Sequence, residues 1–125
     1  MPRWITYASA IFLALHGLVH LMGFLVYLRI TEMKDLPYKT TLLGGRWEAG
    51  EAGMRVFGII WLLPLIGFAL AAYGLFADNS WWRPVLIGTT LISLALTGLD
   101  YKAAYAGAII NGVILGVTIL YPLFT

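Results

Sequence analysis

Charged residues are scarce in this chain, and cysteine is absent from it. Asp, Glu, Lys and Arg make up 11% of the 125 residues, whereas 61% are hydrophobic. Soluble domains carry about 25% charged residues, so this chain has too little charge to cover a water-facing surface. The same composition excludes a disordered chain, and the lack of cysteine excludes a disulfide scaffold. The class that remains is an integral membrane protein.

The sequence also lacks the motifs of common hydrolases and nucleotide-binding proteins. It contains no G-x-S-x-G, no H-E-x-x-H and no P-loop, which favours a protein that is not an enzyme. Its net charge of +2, from eight basic and six acidic residues, is too weak to indicate a nucleic-acid partner. The partner that the composition does predict is the lipid bilayer.

Four apolar segments are long enough to cross a bilayer, which takes about 20 residues as a helix. We predict helices over Trp4–Leu28, Met54–Ala77, Trp82–Leu99 and Ala103–Phe124. A polar loop over 31–53 and two tight turns would join them, and short turns make neighbouring helices antiparallel. The predicted fold is therefore all-α: an up-down four-helix membrane bundle that forms a single domain over 1–125. Pro64 lies inside the second helix and predicts a kink there, because proline removes a backbone donor.

Basic residues are unevenly distributed between the two ends of this bundle. Only Arg3 and Arg83 flank one end, whereas six basic residues flank the first and third connections at the other: Arg29, Lys34, Lys39, Arg46, Arg55 and Lys102. Cytoplasmic connections carry an excess of Lys and Arg. We therefore predict that the 31–53 loop is cytoplasmic and that both termini face outward.

Stripes of small residues mark two predicted helices. They recur at helical spacing as Ala108, Gly112 and Gly116 on the fourth helix and as Gly67, Ala71 and Gly74 on the second. Small residues let membrane helices approach closely, so that dispersion holds them together. The stripes predict packing within the bundle, and the alternative is a homodimer through Gly112 and Gly116 or assembly into a larger membrane complex.

Polar side chains converge near the middle of the predicted bundle. His16 and His20 are four residues apart on the first helix and therefore share a face, and polar groups inside a bilayer usually face the bundle interior. At a rise of about 1.5 Å per residue, His20, Ser93 and Asn111 lie within a few ångströms of one depth. We predict that these three side chains form one polar cluster, with Pro64 at a similar depth and Trp61 one turn nearer the surface.

The candidate ligand-binding residues are His16, His20, Trp61, Tyr27, Ser93 and Asn111. They predict a site for a hydrophobic small molecule, such as a quinone, between the helices of a non-enzymatic protein. The same polar groups can simply hold the helices together by hydrogen bonds. The alternative function is a redox or proton-handling component, in which His16 and His20 bind haem or a metal or relay protons. A metal is disfavoured, because a site needs three or four ligands and the helix centres contain no Cys or Glu.

The segment Leu15–Phe24 contains the string H-G-L-x-H-x-x-G-F. It resembles the first helix of a family of small bacterial four-helix membrane proteins of unknown function. Gly58–Leu63 is similar to their second helix, and Asp100–Lys102 followed by Asn111 is similar to the start of their last helix. The layout alone is more distantly similar to DoxX-type proteins. The resemblance implies a four-helix fold in a bacterial cytoplasmic membrane and brings no reaction with it.

Overall fold

Helices dominate the fold. The computed structural model describes residues 2–121, in which α1 spans Arg3–Tyr27, α2 Gly50–Ile60, α3 Leu62–Phe76, α4 Trp82–Leu99 and α5 Tyr101–Leu120. Because α2 and α3 together form one membrane span, these residues contain four segments that are long and apolar enough to cross a membrane. The predicted all-α four-helix fold is confirmed.

The helix boundaries agree with the prediction to within four residues over the described part of the chain, and those of α4 agree at both ends. The largest error is at the second span, which begins at Gly50 and not at Met54. Glu51 lies in the first turn of α2, where a carboxylate interacts favourably with the helix dipole. The last helix begins at Tyr101, two residues before the predicted start. Residues 122–124 of the predicted last helix lie outside the described residues.

The second span is interrupted at Trp61, between α2 and α3. Pro64 has no N–H to donate to the carbonyl of Ile60, and its ring crowds that carbonyl. The N–H of Trp61 is shared between the carbonyl oxygens of Phe57 at 3.3 Å and Gly58 at 3.2 Å. The helix is therefore interrupted where Pro64 predicts a distortion, and the Trp61 side chain at the interruption is buried in the bundle.

The polar connection between α1 and α2 contains a small hairpin. Strand β1, Thr41–Leu42, pairs antiparallel with β2, Trp47–Glu48, and a 3-10 turn over Leu43–Gly45 joins them. Leu42 is buried with apolar residues at the end of the bundle. The predicted 31–53 loop is therefore partly ordered, and its last four residues belong to α2.

The helices pack as a series in which α1 contacts α2 and α3, α3 contacts α4, and α4 contacts α5. Glycines allow close approaches between α1 and the second span: a Cβ on Gly23 would lie 2.6 Å from Cδ2 of Trp61, and a Cβ on Gly17 would lie 2.7 Å from Cβ of Phe68. Both glycines are on α1 and face the second span. The first two membrane segments therefore pack in close contact along about two turns of α1.

The two predicted stripes of small residues have different surroundings. Gly67 faces Thr89 on α4, and Ala71 is fully buried, so the stripe on α3 packs inside the bundle as predicted. On α5, a Cβ added to Gly112 or Gly116 would meet no other atom within 4 Å in residues 2–121. Within this part of the chain, the α5 stripe does not support the helix packing that we predict for it.

Candidate functional site

Four polar side chains from α1, α4 and α5 are linked in the middle of the bundle. Nε2 of His16 lies 2.8 Å from Oδ1 of Asn111, and Nδ2 of Asn111 lies 2.7 Å from Oγ of Ser93. The Ser93 hydroxyl lies 2.6 Å from Nε2 of His20. Finally, Nδ1 of His20 lies 3.0 Å from the carbonyl oxygen of His16. The four residues therefore form a closed polar ring.

The atoms of the polar ring that can only accept determine which atoms carry the hydrogens. A carbonyl oxygen can only accept, so Nδ1 of His20 donates to His16 and Nε2 of His20 accepts from the Ser93 hydroxyl. Asn111 in turn donates its amide N–H to Ser93 and accepts the Nε2–H of His16. Both imidazoles are then neutral, and each residue of the ring donates to the next one in the same direction around it. Hydrogen bonds linked in this way polarise and strengthen one another. Nδ1 of His16 is left with a lone pair that can accept a further bond.

Burial within the polar ring is nearly complete. Ser93 and Asn111 are fully buried, His20 is 2% exposed and His16 is 8% exposed. The cluster of His20, Ser93 and Asn111 is present as the depth count predicts, and both histidines face away from the outer surface of the bundle. The structure adds that Asn111 bonds His16 and Ser93, so it reaches His20 only through the serine.

Two aromatic residues enclose the histidines. The ring of Trp61 lies 5.4 Å from that of His20, and Phe68 lies 4.9 Å from His16 and 5.3 Å from His20. Trp61 is therefore next to the site as predicted, and its buried indole N–H has no hydrogen-bond partner within residues 2–121. Phe68 was not predicted, because one phenylalanine in an apolar helix gives no sign of the face it occupies.

An apolar groove lies along α1 and α5. Its volume is about 410 Å³, and Phe12 and Leu13 line it from α1 while Ile114 and Val117 line it from α5. Leu13 precedes His16 by three residues and Ile114 follows Asn111 by three, so the groove ends about one helical turn from the polar ring. Phe12 and Val117 are 49% and 61% exposed, so the groove opens at the lateral surface of the bundle.

Tyr27 lies in a second polar cluster, apart from the polar ring. It follows His20 by seven residues on α1, a rise of about 10 Å, and its hydroxyl donates to a carboxylate oxygen of Asp100. Nζ of Lys39 lies 2.6 Å from the other oxygen of Asp100 and 2.9 Å from the Tyr27 hydroxyl. Asp100 continues the polar face of α4, but Lys39 comes from the loop, and no spacing in the sequence connects it to α4.

The donor set does not suit a haem or a metal. Nε2 of each histidine and Nδ1 of His20 already have hydrogen-bond partners, so Nδ1 of His16 is the one imidazole nitrogen of the pair that could bind a metal without displacing a bond. No group of three or more His, Cys, Asp or Glu side chains comes together among the described residues. His16 and His20 also project from one helix, whereas two axial haem ligands approach the ring from opposite faces.

Comparison with protein-family models, with curated proteins and with solved structures finds no match to this chain. The geometry of the polar ring and of the groove therefore carries the functional argument. A cavity of a few hundred cubic ångströms with apolar walls and a few convergent polar groups is typical of small-molecule sites. This groove has that volume and those walls, and its lining includes the hydroxyl-bearing residues Ser9, Thr118 and Tyr121.

Proposed function

We propose that this chain is a non-enzymatic multi-pass protein of a bacterial cytoplasmic membrane that binds a lipophilic small molecule in the groove between α1 and α5. The observation that supports this proposal is the groove of about 410 Å³, which has mostly apolar walls and ends about one helical turn from the polar ring. A ligand with an apolar body and one polar end matches both features. The open side faces the lipid, so the ligand enters from within the bilayer.

The polar end of the ligand is a hydrogen-bond donor. In the polar ring, His16 uses Nε2 to donate to Asn111 and keeps a lone pair on Nδ1, and it is the most exposed of the four residues at 8%. A hydroxyl group that donates to this nitrogen adds a bond without breaking one. Lipophilic alcohols and phenols, including quinols, belong to this class.

The experiment measures binding of a ubiquinol with a ten-carbon tail to the purified protein in lipid nanodiscs. Val117→Trp fills the open side of the groove, and His16→Phe removes the acceptor. We expect His16→Phe to weaken binding about fivefold or more, because a lost hydrogen bond to a buried group costs about 1–3 kcal/mol. We expect Val117→Trp to weaken binding by a similar factor, because the indole occupies the space that the ligand needs. Ile109→Trp is the matched control, since Ile109 is also exposed on α5 and does not line the groove.

Unchanged binding by both Val117→Trp and His16→Phe would contradict the proposal. Equal weakening by Val117→Trp and Ile109→Trp would also contradict it, since added bulk anywhere on α5 would then have the same effect.

A role as a subunit of a membrane complex is the second candidate function, and the α5 stripe favours it. Within residues 2–121, nothing lies within 4 Å of a Cβ placed on Gly112 or Gly116, and Gly112 is exposed. A small-xxx-small stripe on a free helix face suits a second helix, from another copy or from another protein. Cross-linking of a Gly112→Cys variant in native membranes tests this role. Absence of any cross-linked product would contradict it.

A further inference from the structure

A second cavity, which we call the loop-side cavity, lies between the hairpin turn and the start of α5. It has a volume of about 190 Å³, and its lining includes Lys39, Lys102, Asp100 and the turn Leu43–Gly45. It is separate from the groove, which is lined near the other end of α5 by Val117 and Tyr121. The loop-side cavity therefore requires an explanation of its own.

The hairpin turn is shaped to sit directly on α5. Leu43, Gly44 and Gly45 all have positive φ, at 54°, 68° and 94°, a conformation that only glycine adopts without strain. A Cβ on Gly44 would lie 2.5 Å from the Tyr101 hydroxyl oxygen and 3.1 Å from Cε of Lys102. Gly44 therefore lets the backbone of the hairpin turn approach the first turn of α5, and it forms one wall of the cavity.

The charges around the loop-side cavity leave one cation in excess. Asp100 is 2% exposed, and Lys39 at 2.6 Å balances its charge while the Tyr27 hydroxyl donates to it. Lys102 is exposed, and no carboxylate lies within 4 Å of its ammonium group in residues 2–121. Two lysines and one carboxylate give a net charge of +1, which complements a singly charged anion.

The loop-side cavity lies at the depth of lipid headgroups. It is placed where α4 ends and α5 begins, and half-exposed Trp47 and Tyr101 are close to it along the chain. Trp and Tyr are enriched at the membrane–water interface. A phospholipid phosphate is the anion that is abundant at this depth, and basic pockets at helix ends bind such headgroups.

We infer that the loop-side cavity binds the phosphate of an anionic phospholipid, with the Lys102 ammonium group as the direct cation and the Gly44–Gly45 backbone as its wall. Lys39 acts differently, because it is held by Asp100 and Tyr27 and keeps that carboxylate from repelling the phosphate. A phosphodiester carries one negative charge, which the excess charge of the cavity balances. This inference does not depend on the ligand of the groove.

The test titrates the detergent-solubilised protein with phosphatidylglycerol or phosphatidylcholine and counts retained lipids by native mass spectrometry. We expect one phosphatidylglycerol to be retained in preference to phosphatidylcholine. Lys102→Gln should weaken that retention about fivefold, the effect of about 1 kcal/mol for one basic residue near an anionic lipid. Lys34→Gln makes the same charge change at an exposed loop residue outside the cavity and should leave retention unchanged.

Three results would overturn the inference. Equal retention of the two lipids would show that the anionic headgroup is not selected. Equal loss in Lys102→Gln and Lys34→Gln would show only a general effect of surface charge. The third result concerns inorganic phosphate. If phosphate binds, Lys102→Gln abolishes its binding and neither lipid displaces it, the cavity is a site for free phosphate and not for a lipid.

Discussion

Ser93 is the residue through which three helices are connected. Its hydroxyl on α4 donates to His20 on α1 and accepts from Asn111 on α5, and it is fully buried. A buried polar group that loses its partner costs more than the bond itself contributed. Removal of either neighbour therefore affects the other through the serine, although the two neighbours do not bond each other.

We expect His20→Ala and Asn111→Ala to be non-additive. Single membrane-helix hydrogen bonds average about 0.6 kcal/mol and rarely exceed about 1.7 kcal/mol. Each change should therefore lower the free energy of unfolding by about 0.6–1.7 kcal/mol. The double variant should lose less than the sum by about 0.5 kcal/mol or more, because both changes disrupt one network. Reversible unfolding in detergent measures all three values.

Thr118→Ala is the control for this cycle. The Thr118 hydroxyl donates to the carbonyl of Ile114, in its own helix, at 2.7 Å, so it is outside the polar ring. Combined with His20→Ala it should be additive. If His20→Ala and Asn111→Ala were also strictly additive, the polar ring would not act as a unit.

At the scale of the helices, the contact between α1 and the second span depends on glycine. Gly23 faces the ring of Trp61, the residue at the interruption before Pro64. A side chain at position 23 would force the indole away from His20. The predicted kink and the predicted site residue Trp61 are therefore parts of one arrangement.

We predict that Gly23→Ala lowers the free energy of unfolding by about 1–3 kcal/mol, the usual cost of overpacking a core. Gly88→Ala is the matched control, because Gly88 is exposed on α4 and no atom in the described chain lies within 4 Å of a Cβ there. That change should be neutral or stabilising by up to about 1 kcal/mol, since alanine favours the helix. Equal destabilisation by both changes would mean that helix propensity, and not the Trp61 contact, determines the effect.

At the scale of the whole molecule, the distribution of basic residues predicts the orientation. Six basic residues flank the end that carries the hairpin, and two flank the other end. A reporter fused after Thr125 should therefore read as periplasmic, and one inserted after Lys34 should read as cytoplasmic. The opposite pair of readings would reverse the orientation and leave the bundle unchanged. It would also move the loop-side cavity to the outer leaflet.

The sequence by itself determined the membrane class, the four spans and the depth of the polar groups. These properties are local: a run of about 20 apolar residues spans the bilayer, and a fixed rise per residue sets the depth of His20, Ser93 and Asn111. Burial of their polar groups follows, because a polar side chain in lipid needs a partner. The cluster was predictable for these reasons, while its use for ligand binding stays a prediction.

Only the tertiary structure decided the pairing of His16 with Asn111, the groove between α1 and α5, and the ion pair of Lys39 with Asp100. Rotation of each helix about its axis is set by contacts between distant segments, and depth counting does not detect it. The path of the loop is likewise set by where Leu42 is buried and by the glycine turn that contacts α5. For these reasons the loop-side cavity, built from Lys39, the turn and Lys102, could not be read from residue spacing.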